Sequence, residues 1–306
     1  GGLVYPEAIW ETAKASDGLF YFILILSIIL FIGLIGAVVY FIRTGKEKNK
    51  EPHVTHGLAI ELTWTIIPTI LVMIIFYWGF VDYIQMKTPP QNAFEVRVTG
   101  KKWMWQFDYP GGTTTVGELV VPVDTPIKLV MSSEDILHSF FLPNLRMKRD
   151  VIPNRYTTIW FRPEKTGMYP VFCTEYCGDG HSQMLATLEV KSQSDFDAWL
   201  ENGGGVSDAV PLDELGAKLY KSKGCNACHS IDGSPMIGPS WKGIYGAVRQ
   251  FSNAGSQKAD DNYLRESIVD PNKKIVSGFQ PVMPTYSGIL KDREINALVE
   301  YIKGLK

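Results

Sequence analysis

The sequence is poor in cysteine and histidine, with four Cys and five His among 306 residues. All four thiols fall in two short motifs, Cys173 with Cys177 and Cys225 with Cys228, so none remains for a structural disulfide elsewhere. Net charge is also nearly absent, because 30 Lys and Arg balance 32 Asp and Glu to give a formal charge of −2. A chain this close to neutral gives no reason to expect a nucleic-acid partner or a strongly acidic substrate.

Charged side chains are missing from two long stretches, residues 19–42 and 62–81. At 1.5 Å per residue, about 20 helical residues cross the ~30 Å hydrocarbon core of a bilayer, so both stretches are predicted transmembrane helices. The segment 43–50 between them has an excess of Lys and Arg, which places it on the cytoplasmic side. Both termini, and everything after Val81, are therefore expected to face outward.

Glu61 lies at the cytoplasmic start of the second stretch. An acid at this depth has two interpretations, a functional intramembrane carboxyl or an interfacial side chain that reaches water. Two histidines of the connecting segment, His53 and His56, are interpreted as solvated loop residues rather than metal ligands.

A cluster of sulfur and nitrogen ligands follows much later, in the spacing Cys-x3-Cys-x3-His-x2-Met. Thiolate, thioether and imidazole together favour copper, and two thiolates can bridge two metal ions if a further histidine, His138, arrives from upstream. A disulfide and a closed tetrahedral zinc site are the alternatives. Both leave Met184 without a role, so the sequence favours a binuclear copper centre.

The second cysteine pair forms Cys-x-x-Cys-His, the spacing that attaches haem covalently, with His229 as the proximal iron ligand. A thioredoxin-like redox pair is the alternative, but no βαβ pattern surrounds the motif. The sixth iron ligand is predicted to be Met283, which precedes Pro284 and a final helix. Met236 is only seven residues from His229, which makes it less able to reach the opposite face of the haem.

Residues 91–192 consist of short runs in which every second residue is apolar, as in Phe94, Val96 and Val98. This period predicts strands of a sandwich or barrel, whose loops gather functional residues at one end. Within this region Trp105 and Phe107 are expected to pack in the sheet. Asn154 follows a proline at a turn position that favours a positive φ.

The remaining chain divides into a linker and a helical region. Residues 193–211 contain three successive glycines and are predicted to be a flexible tether after a short helix. Residues 212–306 show helical periodicity, and the apolar stripe of the last helix is formed by Ile295, Leu298, Val299 and Ile302. The predicted architecture is therefore multidomain, with residues 1–90 as a transmembrane hairpin, an all-β domain and an all-α domain.

The copper motif together with His138 resembles the copper A site of cytochrome c oxidase subunit II. The whole chain resembles subunit II of a caa-type haem–copper oxidase with a fused cytochrome c domain. The resemblance implies a cupredoxin-like β domain and a class I cytochrome c domain. It also implies the copper ligands, which are bridging Cys173 and Cys177, one imidazole per copper from His138 and His181, weakly bound Met184, and the backbone carbonyl of Glu175.

The resemblance implies further roles and partners. Trp103 matches a surface tryptophan through which a cytochrome c donor passes electrons, and we expect it on the solvated face of its strand. Glu61 matches a glutamate where protons enter subunit I, and the Glu175 carboxylate matches one that contacts a magnesium ion shared with that subunit. The expected partners are subunit I, other oxidase subunits, membrane lipid, and cytochrome c or a donor respiratory complex, in a bacterial inner membrane with the cofactor domains on the periplasmic or extracellular side.

The expected function is electron transfer from an outside donor through haem c and copper A to subunit I. Oxygen reduction belongs to subunit I, because neither apolar stretch here contains the histidines that would hold its haems and copper. The alternatives are a nitric oxide reductase subunit with the same copper centre, and a membrane-anchored electron carrier or copper-delivery module without an oxidase partner. A quinol oxidase subunit shares the hairpin but typically lacks these copper ligands.

Overall fold

The computed structural model describes residues 4–44, 57–204 and 210–306, which form a helical hairpin, a two-sheet β domain and a small C-terminal domain. Residues 45–50 of the predicted cytoplasmic segment, His53, His56 and residues 205–209 of the predicted linker lie outside the described residues.

The hairpin consists of α1 (Glu11–Thr44) and α2 (Leu58–Lys87), and each helix contains one of the predicted spans. Both are long and apolar enough to cross a membrane. On the outer side, α1 begins eight residues before the uncharged stretch 19–42, and α2 ends six residues after the stretch 62–81. In α1 this happens because the polar first turns are covered by the β domain, where Trp10 and Ala13 are buried.

The β domain is fastened to the outer end of the hairpin. Arg146 makes a two-pronged ion pair with Asp17 in α1, with Nε and Nη2 at 2.7 and 2.8 Å from the two carboxylate oxygens. Trp160 packs edge-on against Trp10 at 5.2 Å and donates its indole N–H to the carbonyl of Gln85 in α2. The position of the β domain relative to the membrane helices is therefore fixed by contacts with both helices.

Ten strands form two mixed five-stranded sheets in the β domain, in the orders β3-β2-β1-β5-β8 and β4-β10-β9-β6-β7. Their bounds are β1 Phe94–Lys101, β2 Met104–Asp108, β3 Thr114–Val116, β4 Glu118–Pro122, β5 Ile127–Ser133, β6 His138–Leu142, β7 Met147–Val151, β8 Thr157–Phe161, β9 Gly167–Cys173 and β10 Leu185–Lys191.

The core between the sheets is aromatic and aliphatic. Trp105, Phe107 and Phe140 are fully buried, which confirms that the first two pack in the sheet. Side chains of β5 alternate between buried and half-buried, as the period of two predicts. Asn154 has a φ of 57°, as expected for a residue in the left-handed region after a proline.

The predicted linker is partly folded. Its first half forms α3 (Gln193–Glu201), capped by the Ser192 hydroxyl, which accepts a hydrogen bond from the Asp195 N–H. Phe196 of α3 is buried in the β-domain core. The predicted helix is thus present, but it belongs to the β domain rather than to a flexible tether.

The C-terminal domain contains α4 (Leu212–Ser222), α5 (Asp261–Val269) and α6 (Asp292–Gly304). Gly216 allows α4 to approach α6 closely, since a Cβ there would lie 2.1 Å from the carbonyl oxygen of Ala297. The predicted stripe of the last helix is buried as expected. A short hairpin of β11 (Val248–Gln250) and β12 (Ser256–Lys258), which the sequence did not predict, is added to these helices.

Candidate metal centre and haem site

Strand ends bring the predicted copper ligands together at one end of the sandwich. His138 begins β6 and Cys173 ends β9, and these strands pair. The loop from Cys173 to β10 carries the other ligands. One donor atom each from His138, Cys173 and Cys177 lie within 4.8 Å of one another.

Sulfur atoms form the centre of the cluster. The Sγ atoms of Cys173 and Cys177 are 3.8 Å apart, and both cysteines are free, so no disulfide joins them. Cys177 Sγ lies 3.4 Å from His181 Nδ1 and 3.8 Å from Met184 Sδ. The carbonyl oxygen of Glu175 lies 3.3 Å from Cys173 Sγ. Two thiols, two imidazoles, a thioether and a carbonyl therefore converge, a soft donor set that fits two copper ions.

The His138 ring is oriented for metal binding. It is fully buried, and its Nε2 lies 2.8 Å from Oδ1 of Asp135. Its Nδ1 is buried and has no hydrogen-bond partner among the described residues. A carboxylate that holds one ring nitrogen leaves the other for the metal and fixes the tautomer. This orphaned nitrogen indicates that the pocket is built for an ion.

Asp135 has a role that the sequence patterns do not reveal, because it holds the ring of a copper ligand. Burial raises the pKa of Asp135, but hydrogen bonds from His138 and from the backbone of Ile136 and Lys102 outweigh burial and lower it to about 2. Burial lowers the pKa of His138, yet the bond to Asp135 raises it above its usual value. The available signal was an acid three residues before a ligand histidine.

The two cysteines differ in acidity. Burial raises the pKa of Cys173, but the nearby His138 ring and backbone hydrogen bonds lower it to about 7. Burial, together with repulsion by Cys173, raises the pKa of Cys177 to about 12. The pocket therefore favours a thiolate at Cys173 over one at Cys177, and binding copper through both sulfur atoms would release a proton from Cys177.

The expectation that Trp103 lies on a solvated face is wrong. The side chain is 9% exposed, and its indole Nε1 donates to the carbonyl of Cys177 at 2.9 Å. Glycine at 180 makes this packing possible, because a Cβ there would lie 2.4 Å from the indole. The tryptophan is covered by the copper loop on one side and by the C-terminal domain on the other.

The haem motif lines two neighbouring cavities. The larger, of about 850 Å³, is bordered by Cys228, His229 and Met283. The smaller, of about 400 Å³, is bordered by these residues together with Cys225 and Trp103. His229 and Met283 thus border one space from separate segments, as the predicted pair of iron ligands requires. Met236 lines neither cavity.

The His229 ring is held by its backbone surroundings. Nδ1 lies 2.7 Å from the carbonyl oxygen of Pro239, so this nitrogen is the donor and Nε2 is left as the lone-pair nitrogen. Gly238 leaves room for the ring, since a Cβ there would lie 2.6 Å from its Cε1. Burial lowers the pKa of His229, although the Pro239 bond opposes this, and the neutral form is the one that binds iron. These residues fit a covalent haem.

Glu61 lies in the first turn of α2, where its carbonyl accepts a hydrogen bond from the Thr65 hydroxyl. It is far along the chain from both sites and contributes to neither. Its predicted role in proton uptake and that of Glu175 toward magnesium stay predictions.

Three families match consecutive parts of the chain. The transmembrane domain of cytochrome c oxidase subunit II matches residues 3–81, and its periplasmic domain matches residues 112–191. The cytochrome c family matches residues 214–306.

Three similar proteins each match a longer part of the chain than any one of these families does. Cytochrome c oxidase subunit 2 of Alkalihalophilus pseudofirmus is 29% identical over 304 residues, covering 92% of this chain and 86% of that protein. Cytochrome c oxidase subunit 2 of Candida albicans is 30% identical and covers 56% of this chain and 76% of its own. The crystal structure of the periplasmic domain of subunit II of cytochrome oxidase of Bradyrhizobium japonicum is 30% identical, covers 38% of this chain and 97% of its own, and has a TM-score of 0.37.

Proposed function

This chain belongs to the cytochrome c oxidase subunit II family, and from that premise we propose that it relays electrons from an external donor, through covalent haem c and the copper A pair, to subunit I of a caa-type oxidase. When bound, the haem iron and the copper pair supply reversible one-electron chemistry. The chain's own residues hold these groups, exclude water from them and place them close to each other.

One observation carries the proposal. Trp103 joins the two sites, since its indole N–H bonds the carbonyl of the copper-loop residue Cys177 while its ring borders the same cavity as Cys228 and Met283. A single side chain is therefore in contact with both cofactor pockets. We infer that electrons enter the copper pair by way of Trp103, and that they come from the fused haem rather than directly from a soluble cytochrome.

Each copper ligand has a role that follows from its surroundings. Cys173 and Cys177 would hold both copper ions, His138 and His181 would each supply an imidazole, Met184 would be a weak ligand, and Glu175 would offer its carbonyl; the convergence of these atoms supports the assignment. The pocket is buried between strand ends, which limits rearrangement when the charge of the site changes. The Glu175 side chain is proposed to meet a magnesium ion at the border with subunit I.

Cys225 and Cys228 would hold the haem through thioether bonds, and His229 and Met283, which border the same cavities, would supply the iron ligands. Methionine ligation keeps the potential of the haem higher than a second histidine would. The donor is a soluble cytochrome c or a respiratory complex docked on the C-terminal domain. Glu61, at the inner end of α2, is proposed to lie where protons enter subunit I.

The chain is anchored in the membrane with its β domain on the periplasmic side. We propose the bacterial inner membrane as its location, with lipid around the hairpin and the other oxidase subunits beside it.

The proposal is tested in the purified oxidase by injecting one electron into haem c with a light-activated reductant and following the haem and copper absorption bands. Trp103→Leu is expected to slow the haem-to-copper phase at least tenfold, while Trp103→Phe, which keeps a ring but loses the N–H, slows it less. Both variants should keep normal copper and haem spectra. Unchanged kinetics in Trp103→Leu would remove the tryptophan from the pathway.

A further inference from the structure

The β domain and the C-terminal domain meet backbone to backbone at Gly117, just before β4. A Cβ on this glycine, whose φ is +72°, would lie 1.6 Å from the carbonyl oxygen of Ser222 at the end of α4. Gly117 cannot move aside, because its N–H donates to the Trp105 carbonyl at 2.8 Å and its carbonyl accepts from the Thr187 N–H at 2.9 Å. A side chain at position 117 is therefore incompatible with the contact.

Apolar side chains surround this point. Met104 and Val116 belong to the β domain by sequence, yet they pack in the same apolar cluster as Leu215 and Leu219 of α4. Val116 is fully buried, and Met104 is 4% exposed. Separating the two domains would expose these side chains to water, so the hydrophobic effect favours the docked arrangement.

A buried lysine also lies at the boundary between the two domains. Lys223 is 5% exposed, and its Nζ lies 3.6 Å from Oε1 of Glu294 in α6. On the other side of the boundary, burial raises the pKa of Glu118 in β4, and attraction by Lys223 is the largest effect that opposes burial. The ammonium group thus pairs with a carboxylate of its own domain and also attracts the Glu118 carboxylate of the β domain. A buried cation needs such partners, so its loss would leave them uncompensated.

These contacts form a seat, made of Met104, Val116, Gly117, Ser222, Lys223 and Gly224. We propose that the seat holds the C-terminal domain against Trp103, and that the seat, rather than the glycine-rich linker, sets the rate of electron transfer between haem and copper. A domain held only by a flexible linker would have to find Trp103 by diffusion, at an effective concentration of about millimolar. This inference rests on the proposed electron relay.

Two variants test the seat, each with a matched control. Gly117→Ala adds the methyl group that would strike Ser222, and Gly112→Ala adds one at another positive-φ glycine (φ +89°) that has nothing within 4 Å. Lys223→Met removes the buried charge just after α4, and Lys221→Met removes an exposed charge from the last turn of α4. The second pair decides the question if Gly117→Ala fails to assemble.

The measurement is the haem-to-copper phase after photochemical injection of one electron into the purified oxidase, at low and high solvent viscosity. In the seat variants we expect a phase at least tenfold slower that also slows with viscosity, because the domain must then redock. The controls should match the unmodified enzyme, and all copper and haem spectra should be intact. If the seat variants and their controls show equal rates that do not depend on viscosity, the seat does not set the rate of electron transfer. That result would not contradict the proposed electron relay. Lack of any haem-to-copper phase in the unmodified oxidase would instead overturn the proposed function.

Discussion

At the copper loop, donor atoms already lie 3.3 to 3.8 Å from cysteine sulfur, whereas the haem residues border a cavity of about 850 Å³. The copper loop is thus assembled by the fold itself, from strand ends that the sheets hold in register. The C-terminal domain instead leaves a space for the cofactor between the haem motif and Met283. Loss of copper should therefore remove mainly the redox chemistry of the β domain, whereas loss of haem should also destabilise the fold of the C-terminal domain.

The largest expected effect comes from Cys228→Ala, which removes a thioether attachment and, with it, properly attached haem. Because the haem would fill the cavity bordered by His229 and Met283, its loss should loosen the C-terminal domain, which should become the first part of the chain cut by protease. The protein should remain in the membrane with a normal copper band. Haem staining of denaturing gels and near-infrared absorption check the two halves of this prediction, and a normal c-type spectrum would contradict it.

A smaller effect is expected from Asp135→Asn, which tests whether the copper site is oriented as the fold indicates. An uncharged amide offers one oxygen where the carboxylate accepts from both Lys102 N–H and the His138 ring. Loss of such a partner typically lowers metal affinity about 10- to 100-fold. Competition with a copper chelator measures the change.

Glu134→Gln is the matched control, because Glu134 is the adjacent acid, has a side chain 59% exposed, and pairs with Lys101 rather than with a copper ligand. Similar copper retention in the two variants would show that Asp135 does not position His138.

The smallest effect is expected from Met184→Leu. The side chain is fully buried 3.8 Å from Cys177 Sγ, and leucine is close to it in volume, so the fold should tolerate the change. Copper should stay bound, with an altered reduction potential and electron transfer slowed a few-fold. Redox titration of the near-infrared band reports the potential, and complete loss of copper would show that Met184 is more than a weak ligand.

Most of the proposed copper ligands and the haem-attachment cysteines could be picked out from the sequence because they lie in local patterns, in which spacing alone gathers the residues. His138, which comes from another strand, could be proposed only from the resemblance to the family. Met283 could also be chosen from its distance along the chain and its following proline. The sequence could not predict the buried position of Trp103, the contact of Asp135 with the His138 ring, or the seat at Gly117. Each of these depends on which distant segment packs there, and period-two alternation in a strand does not reveal what lies beyond its outer face.

The attachment of the β domain to the hairpin has a mechanical consequence. Arg146 forms an ion pair with Asp17, and Trp160 packs edge-on against Trp10. Glu164 forms an ion pair with Lys14 at 2.6 Å, so three separate contacts join the sandwich to the outer end of the hairpin. These three contacts lie at the start of α1, and the bond from Trp160 to the Gln85 carbonyl adds a contact with α2, so the sandwich is held by both helices. When the helices tilt in a bilayer of changing thickness, the sandwich should therefore be carried along as one rigid piece, and the spacing of its buried sulfur atoms should be insulated from the motion.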